Sequence, residues 1–146
     1  MRVHLCAVAL FAALVPVAGA AAEGASGSIR VVNAYAKAMP PGATTAGAYL
    51  TIENKGAADR LVGASSPKAL AVEMHTMENS RGIMRMKAVW RIEVSPHGRT
   101  VLVPGGTHLM IVDPAAPLHE GDRFPVRLMF EHAGPIDLDL EVRPFK

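Results

Sequence analysis

Four residues have the types and the spacing to bind a soft metal ion. His75 is followed after ten intervening residues by Met86, and after twenty-one more by His108, with Met110 two positions later. Thioether sulfur is soft, polarizable and uncharged, and among the common protein metals it suits copper(I) best. Zinc prefers Cys, His and carboxylate ligands, whereas calcium and magnesium prefer oxygen. Two imidazoles and two thioethers therefore predict a Cu(I) site, and their neutrality favours the reduced ion.

The spacing of these residues fits β-strands. Side chains at positions i and i+2 of a strand point to the same face of a sheet. His108 and Met110 share a face if residues 107–112 form a strand. His75 and Met77 have the same relation, so Met77 is a candidate additional ligand. We expect all of these side chains on the solvent-exposed face.

Methionine also packs in protein cores, and this leaves a second interpretation open. Its flexible side chain commonly fills irregular gaps, so a single His-x-Met pair is weak support for a metal site. Here two such pairs occur, at 75–77 and 108–110, with Met84 and Met86 between them. The repetition favours metal binding over a metal-free interaction module, although chemistry and spacing alone do not decide between the two.

The elements that must position these residues are short strands. Apolar residues alternate with polar ones along most of the chain, which is typical of half-buried strands. Residues 23–28 are small and polar and are expected to form a flexible tail, and Trp90, the only tryptophan, is expected to be a structural anchor. The pattern predicts an all-β sandwich with Greek-key links, with strands over residues 29–38, 48–53, 60–64, 70–77, 82–89, 100–103, 107–112, 124–130 and 136–142.

Length, charge and motif content exclude several classes of function. The chain has 146 residues, the size of one domain, and a formal net charge of +2. Basic residues are scattered, so we predict no nucleic-acid-binding surface. The sequence has no Ser/His/Asp order in a supporting context, no nucleotide-binding loop and no motif with paired carboxylates. We therefore expect that the protein is not an enzyme.

Residues 1–22 have the features of a secretory signal peptide. A short basic start is followed by an apolar run over residues 5–17 and by a small-residue cleavage site at residues 18–20, with a second frame at residues 20–22. The run is shorter than the about 20 apolar residues that span a bilayer, so we expect no membrane span in the mature chain. The mature domain, residues 23–146, is then expected in the periplasm.

The mature chain is predicted to lack cysteine. Cys6 is the only cysteine, and it lies within the predicted signal peptide. The mature domain would then have no disulfide framework and no thiolate for a blue-copper electron-transfer centre. A site built from methionine suits an oxidising compartment, where thiols tend to form disulfides.

The sequence resembles a known family in its ligand spacing and in several surrounding segments. The spacing is His-x10-Met-x21-His-x-Met, and the segments are residues 40–42, 48–54, 72–77, 84–87, 104–110 and 118–122. Together these features resemble the periplasmic PCu(A)C copper chaperones, over essentially the whole mature chain. The resemblance implies a cupredoxin-like Greek-key β-sandwich over residues 23–146. It also implies that the Cu(I) ligands are His75, Met86, His108 and Met110.

The resemblance further implies a role in copper delivery. Members of the PCu(A)C family carry Cu(I) towards the CuA site of cytochrome c oxidase. The partners would be the copper ion and either the oxidase subunit that carries CuA or a thioredoxin-like copper-delivery protein. A periplasmic buffer or resistance protein that sequesters Cu(I) without delivering it is the alternative, and the sequence does not separate the two. We expect a monomer.

Overall fold

The computed structural model describes residues 23–146, so the predicted signal peptide and its cleavage site lie outside the described residues. This part of the chain is all-β, as predicted, and none of it forms a helix that could cross a membrane. Its eleven strands are β1 (Gly24–Ser26), β2 (Ile29–Lys37), β3 (Thr45–Asn54), β4 (Asp59–Ser65), β5 (Ala69–Ser80), β6 (Ile83–Ala88), β7 (Ile92–Val94), β8 (Gly98–Leu102), β9 (His108–Pro114), β10 (Arg123–Phe130) and β11 (Gly134–Arg143).

The nine predicted strands are present, and their ends differ from the prediction by three residues or fewer. Strands β1 and β7 were not predicted. The expectation of a flexible tail over residues 23–28 is wrong, because β1 pairs antiparallel with β2 and places Gly24 opposite Val31. The Glu23 carboxylate also accepts a hydrogen bond from Arg30 at 2.7 Å. β1 has only three small residues, so its sequence has no alternation of apolar and polar residues from which the strand could have been predicted.

Seven strands close into a continuous circuit around the core. The order is β2, β11, β10, β4, β5, β9 and β3, and β3 pairs again with β2. All of these pairings are antiparallel except that of β11 with β2. Strands distant in sequence, such as β3 and β9, lie side by side, as Greek-key connections require. The sheet therefore closes on one core with few free edges.

Alternation along each strand fills that core. On β11 the residues from Ile136 to Val142 alternate between buried aliphatic and exposed acidic side chains. On β9 Leu109 and Ile111 are fully buried, as predicted, and on β5 Val72 and Met74 face the same core. Burying one such aliphatic side chain contributes about 1.5–3 kcal/mol. These residues fix which face of β5 and β9 points away from the core.

A bulge in β2 changes which residues face outward. Asn33 and Ala34 together oppose the single position between Thr51 and Tyr49 on β3, and Asn33 has a positive φ of 53°. Asn tolerates this left-handed conformation better than most residues. Since a bulge adds one residue, it reverses the alternation. Val31 faces the core before the bulge, whereas Tyr35, four residues later, lies on the outer face beside Tyr49.

Asp59 ties the start of β4 to the turn between β10 and β11. Its buried carboxylate accepts backbone hydrogen bonds from Arg60 at 2.7 Å and from His132 and Ala133 at 3.0 Å each. Burial alone would raise the pKa of Asp59, but the three N–H donors outweigh burial and hold the pKa below its ordinary value. The ionised form is therefore the one that the fold stabilises.

We expect Asp59→Asn to lower the free energy of unfolding by about 2 kcal/mol at pH 7, because an amide cannot accept all three bonds. The pKa is depressed in the folded state, so this stabilisation exists above the ordinary Asp pKa and is lost as pH falls through the folded value. Urea unfolding at a series of pH values should therefore show the two proteins converging in acid. Asp139→Asn, on the exposed face of β11, is the matched control and should have little effect on the free energy of unfolding at any pH in the series. A difference that stays constant in acid would contradict this assignment.

Candidate metal centre

The two predicted histidine ligands face each other across one strand pair. β5 and β9 run antiparallel, and their register places His75 directly opposite His108. The ring centroids are 5.8 Å apart, with an edge-to-face angle of 68°. Next to them, the Thr76 and Thr107 hydroxyls are 3.2 Å apart and link β5 to the residue that precedes β9. Residues separated by more than thirty positions in the sequence thus form one rung of the sheet.

The predicted methionines lie on the same face, one rung to either side. On β9 Met110 is opposite Glu73 of β5 and Gly47 of β3. On β6 Met86 is opposite Met77 of β5, so both sit one rung beyond His75 in the other direction. The register therefore brings all five predicted residues to one surface. Their roles as ligands stay a prediction that rests on this placement.

The burial of these residues differs from the sequence-based expectation. His108 is only 5% exposed, and the side chain of His75 is 13% exposed. The expectation that all the ligands lie on the solvent-exposed face is therefore wrong for the imidazoles. Tyr49 packs beside His108, with ring centroids 6.2 Å apart, and closes one side of the site. Met86 remains 49% exposed, so the site is open on its β6 side.

Hydrogen bonds fix which nitrogen of each ring is free. Nδ1 of His108 lies 2.9 Å from the carbonyl oxygen of Gly106. A carbonyl can only accept, so Nδ1 carries the proton and Nε2 keeps its lone pair. Nε2 of His75 lies 2.8 Å from a carboxylate oxygen of Glu73, so here Nε2 donates and Nδ1 keeps the lone pair. Metal-binding histidines are usually held in this way through their second nitrogen.

The free nitrogen of His75 is buried without a partner. Among the described residues, Nδ1 of His75 has no hydrogen-bonding group in reach. A buried polar atom left unpaired is costly. A metal ion bound at this nitrogen would satisfy it. The donor set therefore fits a cation on the surface shared with His108.

The kind of cation follows from the neighbours. Within residues 23–146, no three His, Cys, Asp or Glu side chains converge into a group that could hold a metal ion. A cluster of the kind that zinc or calcium prefers is therefore not found among those residues. The additional donors near the two histidines are thioethers, which select soft monovalent copper. This agrees with the choice of metal predicted from the sequence.

Sequence reasoning missed three residues that shape this site. Glu73 orients His75, and its position two residues earlier on the same strand face is a signal that could have identified it. Tyr49 covers His108, and Gly47 leaves room for it, because a Cβ on Gly47 would collide with the Tyr49 hydroxyl. Trp90, in contrast, is 94% exposed, so the expectation that it is a structural anchor is wrong.

The comparisons with known proteins agree with this fold. A family model described as "Putative lipoprotein LpqE-like" matches residues 29–142. The chain belongs to this LpqE-like family. The protein named "Putative lipoprotein Lxx21020", from Leifsonia xyli subsp. xyli (strain CTCB07), is 32% identical over 122 residues, which are 80% of this chain and 70% of that protein.

Two solved structures with copper bound resemble this LpqE-like protein. The copper-bound PCuAC domain from PmoF2 has a TM-score of 0.72 and 28% identity, covering 84% of this chain and 97% of that one. CuI-DR1885 from Deinococcus radiodurans has a TM-score of 0.62 and 28% identity, covering 75% of this chain and 74% of that one. The predicted resemblance to the PCu(A)C family and the cupredoxin-like fold are confirmed.

The packing of Tyr49 beside His108 can be tested by titrating the Tyr49 phenol. Burial, and secondarily the neighbouring Tyr35, raise the pKa of the Tyr49 phenol. In a Tyr35→Phe background Tyr49 is the only tyrosine, so its ionisation can be followed by ultraviolet absorbance. We expect Gly47→Ala to push the ring towards solvent and to lower the pKa of Tyr49 towards its ordinary value.

Gly63→Ala is the matched control, because its new Cβ would lie 3.8 Å from Met129, an ordinary contact. This control should leave the titration of Tyr49 unchanged. An unaltered titration in Gly47→Ala would show that the recess at Gly47 does not hold the ring in place.

Proposed function

We propose that the protein is a periplasmic copper(I) carrier that binds one Cu(I) with His75, Met86, His108 and Met110. The observation that carries the proposal is the pair of facing imidazoles, each with its second nitrogen occupied and its free lone pair available. Met86 and Met110 flank this pair on the same face. The copper-bound PCuAC domain and CuI-DR1885 support the choice of ion.

The ligand set suits transport more than redox turnover. Four neutral donors leave a complex with charge +1 and supply no anionic ligand that would favour Cu(II). The Glu73 carboxylate is engaged with His75, where it orients the ring. The role that follows is to hold Cu(I) without changing its oxidation state, which is a binding function and not an enzymatic one.

The exposure of the ligands favours delivery over sequestration. The imidazoles are buried, but half of the Met86 side chain reaches solvent. An incoming ligand can therefore replace the weaker, exposed thioether first and the imidazoles afterwards. A recipient that offers thiolates binds Cu(I) more strongly than neutral ligands do. We propose the oxidase subunit that carries CuA, or a thioredoxin-like copper-delivery protein, as the recipient.

Copper binding is tested by titrating the apoprotein with Cu(I) against a competing chelator. We expect one equivalent to bind, and the double variant His108→Ala/Met110→Ala to lose at least about a hundredfold in affinity, or about 2.7 kcal/mol. His119→Ala/Met129→Leu is the matched control, because it removes one histidine and one methionine on exposed surfaces away from the site. Equal affinity in the wild type and in the first variant would refute the site.

Delivery is tested by mixing the Cu(I)-loaded protein with an apo fragment that carries the two cysteines of a CuA site. Copper should move to the fragment, because thiolates outcompete thioethers and imidazoles for Cu(I). The transfer should be faster than transfer through free copper. A dialysis membrane that separates the two proteins, so that only free copper can pass, should therefore slow it. Retention of the copper by the loaded protein would favour the buffer or resistance role instead.

A further inference from the structure

The hairpin of β5 and β6 extends the candidate site outward. Within residues 23–146, β6 hydrogen-bonds to β5 alone, and every residue of β6 is exposed. The register runs without interruption from His75 opposite Ala88 to Ser80 opposite Ile83 at the tip. The outer half of this hairpin therefore has two faces that are open to solvent, and one of them continues the metal-facing surface.

The metal-facing surface of the hairpin carries thioethers and no charge. Beyond His75 its residues are Met77 and Asn79 on β5, with Met86 and Met84 directly opposite them on β6. The other face carries the charges, and Lys87 lies 3.8 Å from Glu78 there. A cation approaching along the first face meets soft neutral donors and no lysine or arginine on that face.

The donors on this face are graded from exposed to buried. Met84, nearest the tip, is 52% exposed, and Met86 is 49% exposed, whereas Met77 is half-buried. The histidines at the inner end are almost covered. Met84 lies two residues from Met86 on the same face, yet it is outside the predicted four-ligand set. Met84 buries only about half of its surface and does not belong to the hydrophobic core, so packing does not explain its presence at the strand tip.

We propose that Met84 is the first residue to bind arriving Cu(I), and that Met84, Met86 and Met77 form a transient thioether site that passes the ion to the two histidines. This inference rests on the proposed copper-carrier function. Each step exchanges one neutral donor for another: a lone pair of the new sulfur or nitrogen forms a bond to copper as the previous donor leaves. Copper stays Cu(I) throughout, so the transfer needs no electron or proton.

A residue used only in transit has a distinctive kinetic effect. It stabilises the transition state for capture but not the final complex, so removing it slows capture and release by the same factor. A residue of the final site instead changes the equilibrium affinity. The two roles are therefore separated by measuring both rates and the affinity on one protein.

The experiment follows Cu(I) transfer from a Cu(I)–bicinchoninate complex to the apoprotein by stopped-flow absorbance, and the reverse reaction with excess bicinchoninate. Met84→Leu keeps the size and exposure of the side chain but removes the sulfur. We expect both rates to fall about tenfold, the factor that corresponds to about 1.4 kcal/mol in the transition state. The equilibrium affinity should stay within about twofold of the wild type.

Two rescue variants test the face as well as the sulfur. Asn79 is directly opposite Met84, so Asn79→Met in the Met84→Leu background restores a thioether to the same face and should restore both rates. Ile83 is adjacent to Met84 and points to the other face, with 56% exposure. Ile83→Met in the same background restores the number of methionines on the wrong face and should leave both rates slow.

Each other outcome overturns the inference. Unchanged rates in Met84→Leu would show that Cu(I) reaches the histidines without this residue. Rescue by Ile83→Met would show that any nearby methionine suffices. A drop in equilibrium affinity with Met84→Leu would make Met84 a ligand of the final site instead. The carrier function fails separately, if the wild type binds no Cu(I) or if His108→Ala/Met110→Ala binds it equally well.

Discussion

The site depends on the antiparallel register of β5 and β9. A slip of one residue would turn every side chain of one strand to the opposite face. The register is held from the core side, where Val72 and Met74 on β5 pack among the same buried residues as Leu109 and Ile111 on β9. The facing histidines on the outer surface are thus positioned by aliphatic packing on the inner one. The hydrophobic pattern of two strands determines the geometry of a polar site that shares no atom with it.

Around that rung, hydrogen bonds hold both rings in place and leave one nitrogen of each ring without a proton. A backbone carbonyl fixes His108, and a carboxylate fixes His75, so neither ring has to rotate or exchange its proton when an ion arrives. Pre-organisation of this kind reduces the entropy lost on binding. The consequence is the buried lone pair of His75, which is costly while it is unpaired and which the proposed ion would satisfy. Stability and binding are therefore opposed at one atom.

The sequence predicted the strands of the fold and which residues of each strand share a face, because both depend on a period of two. It did not predict what depends on pairing between distant segments. The bulge at Asn33 reverses the alternation and brings Tyr35 beside Tyr49. Nothing in the local pattern shows that Tyr49 then covers His108, so the histidine was expected to be exposed. Trp90 is the opposite case, because it was expected to be buried and is exposed. Large aromatic residues are buried on average, but Trp90 lies in a bend just after β6 and its side chain is in solvent.

In the proposed carrier, the contrast between the buried imidazoles and the exposed thioether of Met86 would give the exchange of the ion an order. Imidazole is the stronger of the two donors for copper, and burial removes the competing water from it. The thioether of Met86 is weaker and remains accessible on a hairpin that is paired on one side only. The ion in that carrier would therefore gain and lose Met86 more readily than the imidazoles, whichever way it travels. A site with four buried ligands would hold copper as firmly but would offer a recipient no first bond to replace. With Met86 on the open strand β6 and the other three donors on β5 and β9 of the closed sheet, the proposed ligand set would both retain Cu(I) and release it.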